Sequence, residues 1–283
     1  MPTNKQRRVA AQRRLQKQLE RRAELARKRR RNLLVVVTVV AVAVVAGAVA
    51  LFAGIGGGDD PDTAAATGTS TSAAPEATAA PATTNADGTV TCTYAPDTSG
   101  NPNLTEAGTP PDPAATPASG TVALLMSTDQ GEIPLTLDRA TAPCAAASFT
   151  YLASQQFFDG SPCHREVNQP TFGVLQCGDP TGTGSGGPTY KFAEEVTPET
   201  TYPRGTIAMA NSGTPGSTGS QFFLCFVDTQ LSPDYTAVGT VDEAGLAVLD
   251  TIAAAGNDGS FEPSPGGGAP NLPVTIQTMT VVG

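Results

Sequence analysis

The sequence predicts a mainly β protein, in which a closed antiparallel β-barrel capped by two helices follows a transmembrane helix and a disordered linker. Three observations carry this prediction: an uncharged apolar run at 33–55, a stretch poor in large apolar residues at 56–119, and many short apolar or alternating runs with only two helical patterns from residue 120. Many strands with few helices are typical of a barrel. The predicted segments are therefore 1–32, 33–55, 56–119 and 120–283.

The two ends of the chain differ sharply in charge. Residues 1–31 contain thirteen Lys and Arg against two Glu, whereas the remainder contains four basic and twenty-four acidic residues. The run Leu33 to Ile55 is 23 residues without a charge, which is long enough to cross a bilayer as a helix. The preceding basic run places the N-terminus in the cytoplasm and the rest outside. We expect an uncleaved signal anchor, because a cleaved signal peptide has a shorter apolar core of about 7–15 residues.

Composition also excludes several classes of function. An acidic region with four basic residues is a poor candidate for binding nucleic acid. A metal site is not expected, because the chain has one histidine and no CxxC motif. The cysteines all lie beyond the apolar run, where oxidation is expected: Cys92, Cys144, Cys163, Cys177 and Cys225. We favour a Cys144–Cys163 disulfide from their proximity in the chain, and the odd count leaves at least one thiol unpaired or paired with another chain.

Residues 56–119 are predicted to be an extended tether. They are rich in Ala, Thr, Pro, Gly and Ser, and such a segment buries too little apolar surface to fold. One island within it, Val90–Tyr94, alternates like a short strand. It is a candidate for packing onto the folded domain through Cys92.

The elements of the folded part follow from periodicity and turn residues. Helices are predicted at Pro143–Ser154 and Gly245–Ala255. Strands are predicted at Thr121–Ser127, Glu132–Leu137, Cys163–Val167, Val174–Cys177, Tyr190–Phe192, Ala237–Val241 and Val274–Val282, with two further strands inside Ile207–Val227. Those last two strands flank a loop rich in Gly, Ser, Thr and Pro.

The stretch Ile207–Val227 has the pattern of a peptide-binding face. Gln221 and Phe223 are two residues apart, so they share one face of a strand. A polar amide beside an apolar platform can hold a short peptide. By the same alternation Phe222 is expected in the core, and Met209 is assigned to the core as well.

The motifs of the folded part resemble, in order, those of the cyclophilins. They are Asp159-Gly160, His164-Arg165, Gln176-Cys177-Gly178-Asp179-Pro180, Tyr190-Lys191-Phe192, Met209-Ala210-Asn211, Gly219-Ser220-Gln221-Phe222-Phe223 and Val238-Gly239. The resemblance covers about 120–283. It implies an eight-stranded cyclophilin-like barrel and a peptidyl-prolyl cis-trans isomerase without a cofactor. With the anchor, it implies a monomeric bacterial member of the cell membrane that acts on proline-containing polypeptides during the folding of exported or cell-envelope proteins.

The resemblance also implies a role for each site residue. Arg165 is the catalytic guanidinium, and Gln176 orients it or holds the substrate backbone. The peptide groove and proline pocket are formed by Phe172, Ala210, Asn211, Gln221, Phe223, Leu231 and Tyr235. Asn211 is expected to bind the peptide backbone and Phe223 to form the floor of the proline pocket. Proline isomerisation requires no nucleophile or metal, because the barrier of about 18–20 kcal/mol arises from amide resonance.

Several positions depart from the family pattern. The Glu166–Leu175 segment is longer than usual, so Val174 is an alternative to Phe172 as a pocket residue. Gln230 replaces a tryptophan that many members carry, which argues against strong cyclosporin binding. Tyr235 stands where a histidine is expected, and its hydroxyl can still donate.

Two further assignments come from the residues themselves. His164 alternates with Arg165, so it is expected to face the interior and to be satisfied by a backbone bond. The glycine-rich loop 178–188 lacks the ending of a phosphate-binding loop and is predicted to form tight turns. Two other functions remain open: a non-catalytic proline-peptide binding module or scaffold on the same barrel, and a structural wall or tether.

Overall fold

The computed structural model describes residues 81–282. The predicted basic segment, the predicted transmembrane span and the first part of the predicted linker lie outside the described residues. In the described part no helix is long and apolar enough to cross a membrane. All described residues belong to one compact unit.

Short strands and two helices make up this part of the chain. The strands are β1 Thr83–Thr84, β2 Val90–Thr91, β3 Ala95–Pro96, β4 Leu104–Thr105, β5 Thr121–Thr128, β6 Gly131–Asp138, β7 Arg165–Gln169, β8 Phe172–Cys177, β9 Gly187–Pro188, β10 Tyr190–Lys191, β11 Thr206–Met209, β12 Phe222–Cys225, β13 Ala237–Val241 and β14 Ile276–Val282. The helices are α1 Pro143–Ser154 and α2 Glu243–Ala255, and a 3-10 turn spans Pro113–Ala115. The strands and helices predicted after residue 120 are present, with ends that differ by a few residues.

Eight of the strands form one curled antiparallel sheet in the order β14-β5-β6-β13-β11-β12-β8-β7. Between β14 and β7 the described residues form no strand ladder, so the sheet is open and the prediction of a closed barrel is corrected. Two isolated bridges, Pro162–Thr275 and Glu166–Gly268, connect these edges instead. Four prolines lie between residues 263 and 273, and a proline has no N–H to donate to a ladder.

Each helix begins at a carboxylate that accepts its free N–H groups. At α1 the two oxygens of Glu195 accept from the backbone N–H of Cys144 and Ala145, at 2.9 and 2.8 Å. At α2 the side chain of Asp242 accepts from the N–H of Gly245 at 2.8 Å. Because the first N–H groups of a helix have no partner inside it, these bonds define where both helices start.

The strands β7, β8, β12 and β11 have two different faces, because successive side chains point to opposite sides. The interior face contributes to the main core with Leu175, Cys177, Met209, Phe222 and Leu224. There the ring of Phe149 on α1 lies 4.9 Å from that of Phe222. The outer face carries a smaller cluster around Phe223. The predictions that Phe222 and Met209 are core residues, and that Phe223 faces the other side, are confirmed.

Residues 81–119 are ordered against the folded domain, which corrects the prediction of a linker for this part of 56–119. β3 pairs with β10, and β4 runs parallel to β9. Val90, Cys92 and Ala95 are buried, and the hydroxyl of Tyr94 donates to the carbonyl of Cys144 at 2.9 Å. Composition predicts that this segment does not fold alone. A disulfide and backbone pairing to the domain supply the order that its own apolar residues do not.

The cysteine pairing differs from the favoured Cys144–Cys163 bond. Cys92 is bonded to Cys144, with the Cα atoms 5.6 Å apart, and Cys163 to Cys177, at 4.0 Å. Cys225 is a free, buried thiol. Proximity in the chain is misleading here, because Cys144 faces the N-terminal segment whereas the segment before β7 passes beside the end of β8.

Candidate active site

A row of side chains crosses four neighbouring strands on the outer face of the sheet. Arg165 on β7 lies opposite Gln176 on β8, and Gln176 lies opposite Phe223 on β12. Phe223 in turn lies opposite Ala208 on β11. Residues directly opposite in antiparallel strands present their side chains on the same face. The register therefore brings a guanidinium, an amide and an aromatic ring together.

Arg165 is half-buried and held by three hydrogen bonds. Its Nη1 donates to Oε1 of Gln176 at 3.0 Å, its Nε to the carbonyl of Gly266 at 2.9 Å, and its Nη2 to the carbonyl of Pro265 at 2.8 Å. Burial lowers the pKa of Arg165, while the nearby Tyr235 and Glu262 act in the opposite direction. An arginine remains protonated in proteins. The side chain is therefore a fixed cation, and only part of its fork of donors is occupied.

Two glutamines connect this cation to the glycine-rich loop. Nε2 of Gln176 donates to Oε1 of Gln221, and Nε2 of Gln221 donates to the carbonyl of Gly186, both at 2.9 Å. Oε1 of Gln176 accepts from Arg165. In both glutamine side chains the oxygen therefore faces a donor and the nitrogen faces an acceptor, which fixes the orientation of each amide. This series of hydrogen bonds, from Gly186 through Gln221 and Gln176 to Arg165, fixes the orientation of the guanidinium.

A cavity of about 520 Å³ lies beside Arg165. Apolar and aromatic side chains form most of its wall: Phe172, Val174, Ala210, Phe223, Leu231 and Tyr235. The rings of Phe223 and Tyr235 meet edge to face at 5.5 Å, and Cζ of Arg165 lies 6.0 Å from the ring centre of Phe172. The sequence left open whether Phe172 or Val174 lines the pocket, and in the structure both residues line the cavity. Gln221 borders an adjoining cavity instead.

Asn211 lines the cavity, and both polar atoms of its side chain are bonded within the protein. Its Nδ2 donates to the carbonyl of Asp234 at 2.8 Å, and its Oδ1 accepts from the N–H of Gly213 at 2.9 Å. The N–H of Ala210 donates to the carbonyl of Gln221 at 2.8 Å, which extends the pairing of β11 and β12. The side chain therefore shapes the loop, and the backbone of Asn211 is the part available to a bound chain.

His164 does not face the interior as predicted. It precedes β7 and lines the same cavity as Arg165, so the alternation of a strand does not apply to it. Its Nδ1 is buried and has no hydrogen-bond partner among the described residues, which also corrects the expected backbone bond. Burial lowers the pKa of His164, with Asp179 acting in the opposite direction and Arg165 in the same one.

The glycine-rich loop is ordered by one buried carboxylate. Asp179 accepts from the backbone N–H of Thr181, Gly184 and Gly186, at 2.7, 2.7 and 3.0 Å. Burial raises the pKa of Asp179, but the hydrogen bonds from Gly186, Thr181 and Gly184 outweigh it and leave the pKa below its usual value. A Cβ at Gly186 would lie 2.0 Å from Oδ1 of this carboxylate. The loop is thus built of tight turns, as predicted, and it holds the carbonyl that anchors Gln221.

Four residues of the cavity wall were not identified from the sequence: Thr183, Gly184, Phe261 and Pro265. The first two belong to the loop that Asp179 orders. The other two lie in the segment after α2 whose carbonyls hold Arg165. The only sequence signal for Phe261 is that it is a single aromatic residue within a run rich in Gly, Pro and Ser.

The arrangement can bind an uncharged, extended ligand with an apolar group in the cavity. It places a fixed cation at the edge of that cavity, where a developing lone pair would be stabilised. Among residues 81–282 no group of three or more His, Cys, Asp and Glu side chains is arranged to hold a metal ion. The cavity and the held guanidinium can supply apolar binding and electrostatic stabilisation.

Comparison with known proteins is consistent with this geometry. Residues 123–281 match the family model described as cyclophilin type peptidyl-prolyl cis-trans isomerase/CLD. A probable peptidyl-prolyl cis-trans isomerase B of Mycobacterium leprae is 45% identical over 166 residues, which are 54% of this chain and 55% of that protein. The peptidyl-prolyl cis-trans isomerase A of Mycobacterium tuberculosis is 35% identical over 174 residues, 55% of this chain and 90% of that protein. The chain spans about half the length of the isomerase B relatives that it matches.

A solved structure shows the same fold. The crystal structure of a Cryptosporidium parvum cyclophilin type peptidyl-prolyl cis-trans isomerase superposes with a TM-score of 0.50 at 26% identity, and the match covers 58% of this chain and 99% of that one. The family model matches more than half of the chain, and every residue that lines the cavity lies within the matched residues. The chain therefore belongs to the cyclophilin-type peptidyl-prolyl cis-trans isomerase family.

Proposed function

We propose that this protein is a peptidyl-prolyl cis-trans isomerase that accelerates the exchange of X–Pro bonds in polypeptides. One observation carries the proposal: the guanidinium of Arg165 is held by three hydrogen bonds at the edge of a largely apolar cavity. The names of its relatives support the same activity. Uncatalysed X–Pro exchange takes tens to hundreds of seconds, so a protein that favours the twisted amide has a measurable effect.

The proposed mechanism is non-covalent stabilisation of the twisted amide by Arg165. Planar cis and trans amides are stabilised by resonance, which is lost during rotation. In the twisted state the prolyl nitrogen regains a lone pair, and a fixed cation with free donors stabilises that pair. Catalysis requires this interaction to be stronger in the twisted state than in either planar state. Gln176 keeps the guanidinium at one orientation through its 3.0 Å bond.

The substrate is held on both sides of the rotating bond. The proline ring would occupy the apolar cavity, with Phe223 as its floor and Phe172, Leu231 and Tyr235 around it. The backbone of Asn211 would pair with the extended peptide, since its side chain is already bonded to Asp234 and Gly213. Gripping both sides lets binding energy favour rotation of the bond between them.

The proposed setting is the outer side of a bacterial cell membrane, and the proposed clients are exported or cell-envelope proteins. The apolar run 33–55 after a basic segment supports an anchor with this orientation. Two disulfides agree with an oxidising compartment. We propose that the protein acts there as a monomer.

The activity is tested by exchange NMR on an X–Pro peptide with the purified full chain and with Arg165→Ala. We expect wild type to accelerate exchange, and Arg165→Ala to lower kcat/KM by about 10²–10³, the usual cost of removing one such electrostatic donor. Arg139→Ala, which changes the same residue type away from the cavity, is the control and should keep wild-type activity.

Two outcomes would contradict the proposal. Full activity in Arg165→Ala would reject the assigned mechanism while leaving the activity in place. Peptide binding by wild type without any acceleration of exchange would instead indicate a non-catalytic proline-peptide binding module or scaffold.

A further inference from the structure

A second cavity of about 540 Å³ adjoins the proposed proline cavity. The two share the residues Gln176, Gly184, Ala210 and Asn211 in their walls. Gln176 accepts a hydrogen bond from Arg165, and Asn211 is the proposed backbone partner of the peptide. An extended peptide bound in the first cavity would therefore continue past the second. A side chain of that peptide would then enter the second cavity.

The outer wall of this second cavity comes from the N-terminal segment. Asp97, Ser99, Asn101 and Leu104 line it, whereas the family model matches only residues 123–281. This wall is therefore built from a part of the chain that the family model does not include. Residues of the loop 184–188 and of the stretch 211–221 line the same cavity.

Bonds to the glycine-rich loop and to β10 hold the segment in this position. The N–H of Asp97 donates to the carbonyl of Thr189 at 2.9 Å. Nδ2 of Asn101 donates to the carbonyl of Ser185 at 2.7 Å, and Nδ2 of Asn103 to its hydroxyl at 2.8 Å. With the strand pairs β3–β10 and β4–β9 and the Cys92–Cys144 bond, these contacts make the wall a fixed feature.

Two opposite charges border the second cavity, Asp97 and Lys191. Burial raises the pKa of Asp97, but hydrogen bonds from Ser99 and the charge of Lys191 together lower it below its usual value. The carboxylate is therefore an anion at neutral pH. The described residues as a whole hold twenty acidic against four basic side chains, a formal charge of −16, which disfavours an acidic ligand.

We propose that residues 97–104 complete a substrate subsite beside the proline cavity, and that Asp97 makes this subsite reject acidic side chains of the polypeptide in favour of neutral or basic ones. The inference rests on the proposed isomerase function. The anionic carboxylate of Asp97 in this wall repels an acidic side chain and attracts a basic one, so the N-terminal segment contributes to the charge preference of the site.

The test uses exchange NMR on the purified full chain with a host peptide that contains one proline. Lys, Gln or Glu is placed in turn at each of the two positions before and the two positions after the proline. Wild type should favour Lys over Glu in kcat/KM at one of these positions. Asp97→Asn should reduce that Lys/Glu ratio by about two- to fivefold, the range for partly exposed charge pairs, through KM with kcat unchanged.

Asp112→Asn is the matched control. It removes the same charge from the same segment, lies outside both cavities, and its left-handed backbone, at φ 50°, suits asparagine. It should leave the Lys/Glu ratio at the wild-type value. Ser99→Lys, at an exposed side chain of the same wall, should shift the ratio toward Glu. Urea unfolding of each variant shows whether the segment remains folded.

The results separate this inference from the proposed function. If wild type accelerates every peptide but Asp97→Asn and Ser99→Lys leave the Lys/Glu ratio unchanged at all four positions, the isomerase function stands and the subsite is rejected. An equal shift in Asp112→Asn would also reject it, because the effect would then come from the overall charge. If wild type accelerates no peptide, both proposals fail.

Discussion

The two faces of strands β8 and β12 differ in kind, although their residues alternate along the same chain. The interior face carries Leu175, Phe222 and Leu224, all fully buried against the helices and the rest of the sheet. The outer face carries Gln176 and Phe223, where a bonded amide borders an open cavity. Neighbouring residues therefore serve stability on one side and recognition on the other, and single substitutions can separate the two roles.

The largest expected effect comes from the interior face. Phe222→Ala should reduce the free energy of unfolding by about 3–5 kcal/mol, because it leaves a cavity among packed aromatic rings. Phe223→Ala should cost less stability, since its ring borders the proline cavity, but it should raise KM for X–Pro peptides. Urea unfolding and exchange NMR measure the two quantities. If Phe222→Ala and Phe223→Ala lost the same stability and had the same KM, the distinction between the two faces would be wrong.

A smaller effect is expected from the polar residue of the outer face. Gln176→Ala removes the acceptor of Nη1 of Arg165 and the donor to Gln221. We expect kcat to fall about tenfold, or ~1.4 kcal/mol in barrier height, because the guanidinium loses one of its three fixed contacts. Gln176→Glu retains the acceptor and should recover part of the rate. A wild-type kcat in Gln176→Ala would show that the loop carbonyls alone position Arg165.

The smallest effect concerns the carboxylate that lies on the interior face. Glu166 lies opposite Leu175 and is buried, and its Oε2 has no partner among the described residues. Burial raises the pKa of Glu166 from 4.5 to about 6, while a hydrogen bond from Asn168 acts in the opposite direction. The folded state therefore binds this proton more tightly than the unfolded state. The contribution of Glu166 to stability should fall as pH rises from about 4.5 to about 6 and stay level above that range.

Glu166→Gln tests this pH dependence. The variant keeps an oxygen to accept from Nδ2 of Asn168 but has no charge to bury. It should lack the loss of stability that Glu166 causes between about pH 4.5 and 6, and at pH 7.5 it should be more stable than wild type. Urea unfolding at four or five pH values gives both curves. Parallel curves for the two proteins would show that Glu166 is solvated or paired in solution.

Local patterns in the sequence were sufficient for much of the site. The spacing of Gln221, Phe222 and Phe223 correctly predicts which side chains reach the core and which reach the outer face. The ordered motifs bring Arg165, Gln176, Asn211 and the aromatic residues into one cavity, as the resemblance implies. His164 was misassigned because it lies just before β7, where the alternation of a strand has not begun.

The N-terminal segment shows the opposite case. Its composition predicts a chain that cannot form its own core, yet residues 81–119 are ordered. Their partners are the helix start at Cys144, the loop around Ser185 and the short strands β9 and β10. The sequence of the segment does not indicate any of these partners. Composition alone therefore predicted a tether, whereas in the structure the segment forms the wall of a cavity.

By itself the sequence determined the family, the position of the helices and strands, and the faces on which most site residues lie, because these depend on periodicities that arise from backbone geometry. The tertiary structure decided which cysteines pair, that the sheet stays open at its proline-rich edge, that the carbonyls of Pro265 and Gly266 hold Arg165, and that Asp97 reaches the second cavity. Each of these depends on segments far apart in the chain meeting in space. Such contacts arise only when the whole core packs, and no local pattern encodes them.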